Sequence, residues 1–404
     1  VLASALDAGR IDFRFVGGSV RDGLLGRRVA DIDIATPALP EAVTRAVEAA
    51  GLKAVPTGIA HGTVTAVVDG KPFEITTLRR DVETDGRHAV VAFTDTWQED
   101  AARRDFTMNA LYADRDGHVT DFFGGVADAR AGLVRFIGDA GTRIREDALR
   151  ILRFFRFHAW YGRNGFDPAG IAACSELALL IDGLSRERVR DETLKLLGAP
   201  DPAPVWQAMV DHGIAVHIDP SLTRWRDLAD LVALEGELGL QPDPIRRLAA
   251  LSGPISGDAL AHLKSRLKLS NRAEAQWEAI DGLEPKVALV TQTLFRRALY
   301  GSAPDFLRDA ALLAHVRVGV PGLAALAGLV ATLKTWRKPR LPITASDLRP
   351  LGVAPGPDMG RLLRAIEAWW AAADFAPDRR RCLMEAARLA SQENGPARES
   401  PPIR

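Results

Sequence analysis

Polar and apolar positions alternate with two different periods along this chain, and the change between them falls near residue 125. Phe13 to Val16 is a short apolar run that ends in Gly17-Gly18, and Asp31-Ile32-Asp33-Ile34-Ala35 alternates polar with apolar. Thr63 to Val68 and Phe73 to Thr77 are further strand signals, rich in β-branched residues and joined at Asp69-Gly70. An Asp-Gly pair between two such runs predicts a type I′ hairpin, whose two central residues both need positive φ. Leu39 to Ala50 has helical spacing, with Pro40 placed early, where its missing N–H is harmless. Asp81 to Ala89 is polar without periodicity and reads as a mobile loop.

Beyond residue 125 the strand signals fade. Helical spacing predicts one long helix over 143–161, then helices over 186–197, 205–210, 224–239, 259–268, 273–280, 322–336, 359–372 and 379–391. Gly- and Pro-bearing stretches near 198–204 and 339–357 mark candidate boundaries. The pattern predicts an α+β head of mixed sheet and helices followed by an all-α remainder. We divide it as 1–125, a neck at 126–198, a body at 199–338 and a tail at 339–404.

Composition narrows the possibilities only a little. The 404 residues are 47% hydrophobic and 26% charged, which suits ordinary globular domains. Fifty-two basic residues balance fifty-two acidic ones, so a nucleic-acid partner must be held by a local patch. No apolar run is long enough to span a bilayer, so no membrane partner is expected. The two cysteines, Cys174 and Cys382, lie far apart in sequence, which argues against a disulfide framework and makes a reducing cytoplasm the default compartment.

Candidate chemistry begins at Gly17-Gly18-Ser19-Val20-Arg21. A strand turning into a helix through two glycines leaves backbone N–H groups free for phosphate oxygens, and Arg21 on the first turn could neutralise a triphosphate. Taken alone, the pair is equally a tight strand-to-helix turn. Asp31 and Asp33, two apart in a predicted strand, would share one face while Ile32 and Ile34 point to the core. Two neighbouring carboxylates repel unless a cation lies between them, and Mg²⁺ prefers oxygen ligands. Glu74, in a neighbouring strand, is either a third acid near such metals or a buried hydrogen-bonding anchor. On the predicted 143–161 helix, Asp147 and Arg150 fall on neighbouring turns of one face. Arg153 and Arg156 extend that stripe, and Leu149, Leu152 and Phe155 form a separate apolar one.

The string GGSVRDGLLGRRVADIDIAT (Gly17 to Thr36) closely resembles the opening of bacterial class II tRNA nucleotidyltransferases, the CCA-adding enzymes, and of the related poly(A) polymerases. PTGIAHGTVT with FEITTLRRD (Pro56 to Asp81), EDAARRDFTMNAL (Glu99 to Leu111), DFFGG (Asp121 to Gly125), RIREDALRILRFFRF (Arg143 to Phe157) and SRERVRDE (Ser185 to Glu192) resemble later motifs of that family in the same order. The resemblance is strong over residues 14–195 and weak beyond.

It implies a polymerase-β-like catalytic head, CTP and ATP as substrates and tRNA as partner; it does not imply a protein partner. It further implies that Arg104 and Asp105, in the segment that also holds Asn109, contact the nucleotide's sugar and phosphates. Asp147 and Arg150 would read the incoming base, Arg153 and Arg156 would serve the triphosphate or stack near the base, and a loop bearing Asp85, Arg87 and His88 would help switch from CTP to ATP. His61 carries no independent chemical role. The reaction implied is attack of the tRNA 3′-hydroxyl on the α-phosphate, with two Mg²⁺ ions held by Asp31 and Asp33.

In the carboxyl half, Lys334, Arg337, Lys338 and Arg340 form a basic cluster that suits phosphate contact or a solvated turn between helices. Arg266, Lys268 and Arg272 form a weaker one. Poly(A) polymerase and an inactive RNA-binding scaffold are the alternative readings. No His-Asp dipeptide occurs, which predicts the absence of a metal-dependent phosphohydrolase activity.

Overall fold

The computed structural model describes residues 1–58, 62–84, 89–287, 292–301, 303–353 and 355–393. The first part of the chain runs α1 (Leu2–Ala8), β1 (Arg14–Val16), α2 (Gly18–Leu24), β2 (Asp33–Thr36), α3 (Pro40–Ala49), β3 (Lys53–Gly58), β4 (Thr63–Val68) and β5 (Lys71–Thr77). There follow β6 (Arg79–Thr84), β7 (Ala89–Phe93), α4 (Trp97–Ala102), β8 (Leu111–Ala113) and β9 (Val119–Asp121). A seven-stranded sheet has the order β3-β4-β5-β2-β1-β8-β9; β2 and β5 pair in parallel and the other pairs are antiparallel.

The hairpin between β4 and β5 turns at Asp69 (φ 49) and Gly70 (φ 76), both positive as its sequence predicts. Helix α3 begins at Pro40 and buries Val43, Ala46 and Val47 along one face, packed with Ile34 and Ile75 of the sheet. The core beneath the sheet is built by this period-two and period-3.6 matching.

Two local expectations fail. Strand β2 starts at Asp33, so Asp31 and Ile32 precede it, and Ile32 is 38% exposed instead of buried. The polar stretch from Asp81 is no simple loop: β6 and β7 pair as a separate antiparallel ribbon. Strand pairing here is set by backbone hydrogen bonds, which a polar sequence can make as well as an apolar one. His61, Asp85, Arg87 and His88 lie outside the described residues.

After β9, every regular element among the described residues is helical. Asp121 starts the first of these, α5 (Gly125–Ala131), by accepting from the backbone N–H groups of Phe123 (3.1 Å), Gly125 (2.9 Å) and Val126 (2.9 Å). Gly125 itself lies so close to Thr107 that an added Cβ would sit 2.1 Å from the carbonyl oxygen. The DFFGG segment is thus a cap and a close packing contact.

The helix expected over 143–161 is two helices, α6 (Ala140–Glu146) and α7 (Leu149–Tyr161). Asp147 breaks it with an extended backbone (φ −153°, ψ 104°), and its Oδ1 accepts from Leu149 N at 3.1 Å, so it caps α7 locally. Then come α8 (Pro168–Glu176) and α9 (Arg186–Leu197).

By contacts the chain divides into two compact units, Val1–Ala233 with Gln241–Leu269, and Leu234–Leu240 with the chain from Ser270 onward. The second has its own core around Leu362, Ile366, Trp370, Cys382 and Ala386. Cys174 and Cys382 are both free and buried. Among the described residues no helix is long and apolar enough to cross a membrane.

Gly125→Ala should destabilise the protein by about 2 kcal/mol, because the Thr107 carbonyl is backbone and cannot step aside cheaply. A urea midpoint unchanged from wild type would contradict this packing.

Candidate active site

A cleft of about 420 Å³ opens where α2, the segment after α4 and the start of α7 meet. Gly17, Gly18, Arg21, Asp33, Arg103, Arg104, Asp105, Asn109, Asp147, Arg150, Arg153 and Phe157 line it. The structure thus brings to one place residues that the sequence spreads over some 140 positions.

Gly17 is the N-cap of α2 and has φ 70, a conformation open to glycine at little cost. Helix α2 turns Ser19 away from the cleft. Its hydroxyl donates to Val16 O at 3.2 Å and its side chain borders a separate apolar pocket with Phe15, Val20 and Ile32. The Ser19 hydroxyl is thus engaged away from the cleft, and what Ser19 offers a nucleotide is its backbone N–H at the start of α2.

Arg21 is 6% exposed. It donates to Asn109 Oδ1, to Tyr161 Oη (2.7 Å) and to Asp22 Oδ1 (3.0 Å), with its guanidinium over the Phe157 and Tyr161 rings. It reaches the cleft as the link between α2 and α7.

Asp33 lies opposite Glu74 in the parallel register of β2 and β5. Burial raises the Asp33 carboxyl above its ordinary range, the neighbouring charges of Glu74 and Asp31 raise it further, and Arg104 opposes them. Glu74 is exposed, so it is not the buried anchor that the sequence left open. Asp31, Asp33 and Glu74 do not converge to a three-ligand group within 4.8 Å; among the described residues only Asp114, Asp116 and His118 do so, in the exposed turn between β8 and β9.

Two buried acids hold the arginines. Asp100, 2% exposed, accepts from Arg103 Nε (2.9 Å), Arg104 Nη2 (2.9 Å) and Tyr112 Oη (2.7 Å). Burial alone would raise its carboxyl, but the two guanidinium charges and these hydrogen bonds win and hold it at about 2. Asp105, 7% exposed, accepts from Phe106 N (2.8 Å) and Asn109 Nδ2 (3.0 Å) on Oδ1 and from Arg153 Nε (2.8 Å) on Oδ2. Its carboxyl is likewise held below the ordinary range, Arg153 and the hydrogen bonds outweighing burial. Phe106, directly after it, packs on Phe136, Phe154 and Phe157, so an aromatic cluster and an ion pair join α7 to this segment together.

Asp147 and Arg150 both line the cleft, and Arg150 N donates to Asp147 O at 3.0 Å, but their side chains do not pair with each other. Arg150 donates to the carbonyls of Arg143 (2.8 Å) and Arg103 (3.0 Å) and pairs with Glu146. Asp147 pairs with Arg188 of α9, whose Nη2 lies 3.0 and 2.8 Å from its two carboxylate oxygens. Arg156 leaves the stripe. It pairs with the buried Glu192 of α9 and does not line the cleft.

Asp100, Arg188 and Glu192 lie in motif segments of the chain but carry no role that sequence alone assigns. The spacing of Asp100 to Arg104, one helical turn, was the available signal for the first. The other two are long-range contacts.

In the carboxyl half, Lys334, Arg337, Lys338 and Arg340 are exposed, and Lys338 Nζ stands 4.6 Å over the Tyr300 ring. Two members of the weaker cluster are engaged within the protein. Arg266 donates to the carbonyls of Ile218 (2.7 Å) and His217 (3.0 Å), and Lys268 pairs with Glu187 at 2.8 Å.

A family model described as the poly A polymerase head domain matches residues 13–135, and one described as a probable RNA and SrmB-binding site of polymerase A matches residues 166–226. Together with the cleft, these matches define a nucleotidyltransferase with a head of the poly(A) polymerase class. Mitochondrial CCA tRNA nucleotidyltransferase 1 of Danio rerio is 33% identical over 387 residues, covering 91% of this chain and 85% of that protein. The CCA-adding enzyme of Lactobacillus johnsonii is 32% identical over 87% of each chain. The CCA-adding enzyme of Bacillus stearothermophilus, solved in complex with CTP, superposes with a TM-score of 0.71 at 27% identity over 97% of both chains. The chain belongs to the family of CCA-adding enzymes, the tRNA nucleotidyltransferases.

Because the Asp100 carboxyl falls from an ordinary 3.8 to about 2 in the folded protein, its contribution is complete above pH 3.8 and lost as pH drops through about 2. Asp100→Asn should remove on the order of 2 kcal/mol of stability at neutral pH and flatten the loss between pH 4 and 2. Denaturant midpoints across that range check both effects.

Proposed function

We propose that this enzyme adds C, C and A to the 3′ end of tRNA from CTP and ATP, without a nucleic-acid template and with release of pyrophosphate. One observation carries the reading: the acid Asp33 of the sheet and the Asp147–Arg150 couple of the neck face the same cleft. The site can therefore activate a hydroxyl and inspect a base at once.

Asp31 and Asp33 are the residues that would hold two Mg²⁺ ions, with Glu74 beside them. The fit rests on the donor set: hard carboxylate oxygens from Asp33 of β2, Glu74 opposite it on β5 and Asp31 just before the strand, with the repulsion of the other two acids felt at Asp33. Bound there, the ions supply charge that lowers the pKa of the 3′-hydroxyl and neutralises the attacking and leaving oxygens. Gly17 and Gly18 let the chain approach phosphate oxygens closely, and Arg104 and Arg153 place fixed positive charge along the cleft before any nucleotide arrives. Asp105 keeps Arg153 in position.

Base choice follows from hydrogen-bond inventory. Cytosine and adenine each present an amine beside a ring-nitrogen acceptor, which a carboxylate on Asp147 and a guanidinium on Arg150 complement. Uracil and guanine present a carbonyl beside a ring N–H, leaving like groups face to face at about 1 to 3 kcal/mol each. The neck over 126–198 then serves base recognition, and the exposed Lys334, Arg337, Lys338 and Arg340 serve tRNA phosphates, recognised by shape and charge. The switching role of Asp85, Arg87 and His88 and a cytoplasmic place of action belong to the same proposal.

The test is incubation with tRNA lacking its terminal CCA and each nucleotide singly and together. Two C additions from CTP alone and a completed end only with ATP are expected; long A tracts from ATP alone would overturn the reading in favour of poly(A) synthesis. Asp33→Ala should lower turnover on the order of a thousandfold at unchanged thermal midpoint, whereas an inactive RNA-binding scaffold would show no difference between the two proteins.

A further inference from the structure

We propose that Arg188 of α9 is a specificity-determining positioning residue: it fixes which oxygen of Asp147 meets the incoming base. The inference rests on the proposed base-reading role of Asp147. Oδ1 of that carboxylate already accepts from Leu149 N (3.1 Å) and from Arg188 Nη2 (3.0 Å), which fills its two lone pairs. Oδ2 accepts only from Arg188 Nη2, at 2.8 Å, and keeps one lone pair free.

The carboxylate thus offers one acceptor in one direction. Rotation toward a base that presents its groups in another order would break bonds to the capping N–H and the guanidinium, which hold it at both oxygens. Among the described residues, Asp147 is the only acid within ion-pair distance of Arg188. Arg150, by contrast, is held by Glu146 and two carbonyls and does not restrain the carboxylate. Arg188 itself does not line the cleft, so it acts through Asp147 and not on the nucleotide.

Without Arg188 the carboxylate keeps a single tether, to Leu149 N. It can then swing and accept from the ring N–H of uracil or guanine, so discrimination should weaken more than rate. Single-nucleotide additions to tRNA lacking its end, measured with Arg188→Met and Arg188→Lys, test this. Arg188→Met should raise the ratio of UMP to CMP incorporation about tenfold, the scale of one mispaired contact. The KM for CTP should rise more than kcat falls. Arg188→Lys, which restores a cationic donor, should return the ratio to within about threefold of wild type.

If both variants lose activity equally for all four nucleotides, Arg188 is only an interhelix tie and the inference fails. If Arg188→Met does not fold, the Lys variant decides: an unselective Arg188→Lys with wild-type thermal midpoint also overturns it. Failure of the parent reading looks different, since the wild-type protein would then add neither C nor A in order.

Discussion

The buried pair of Asp105 with Arg153 is the contact on which the cleft depends. Asp105 sits in the segment between α4 and β8 and Arg153 on α7, 48 residues apart. A carboxylate so buried is tolerated only when paired and hydrogen-bonded, and here Phe106 N, Asn109 and Arg153 do this together. The aromatic cluster around Phe106 supplies the apolar burial that holds the same two elements against each other. Together with the bonds of Arg143 and Arg150 to the Arg103 and Arg104 carbonyls, they hold the segment after α4 against the helix start bearing Asp147 and Arg150.

The pattern repeats around the site. Asp100 holds Arg103 and Arg104, Asp105 holds Arg153, and Glu192 holds Arg156, so buried acids on the protein side fix the direction of each guanidinium. An arginine fixed in this way can meet an anion without losing side-chain freedom at the moment of binding. The cleft is lined by five arginines against three aspartates, so it carries a local positive excess although the chain as a whole is balanced.

The break between α6 and α7 has the same logic. A continuous helix would direct Asp147 by its own geometry alone. The extended backbone at Asp147 instead frees its side chain to cap α7, to meet Arg188 and to face the cleft. A short polar residue that competes with the helix for backbone hydrogen bonds is suited to such an interruption.

The sequence by itself determined the mixed head, the β4–β5 hairpin at Asp69-Gly70, the helical remainder, and most of the cleft residues, because periodicity and turn chemistry are local and the motif segments keep their order. It placed Leu149, Leu152 and Phe155 correctly in the core. Only the tertiary structure decided that Ser19 turns away, that Ile32 is exposed, that Arg156 belongs to Glu192 and that Asp147 belongs to Arg188. Each of those outcomes is set by a partner distant in the chain or by where a strand or helix stops, and neither hydrophobic period nor residue type encodes which of several nearby charges a long, flexible guanidinium will meet.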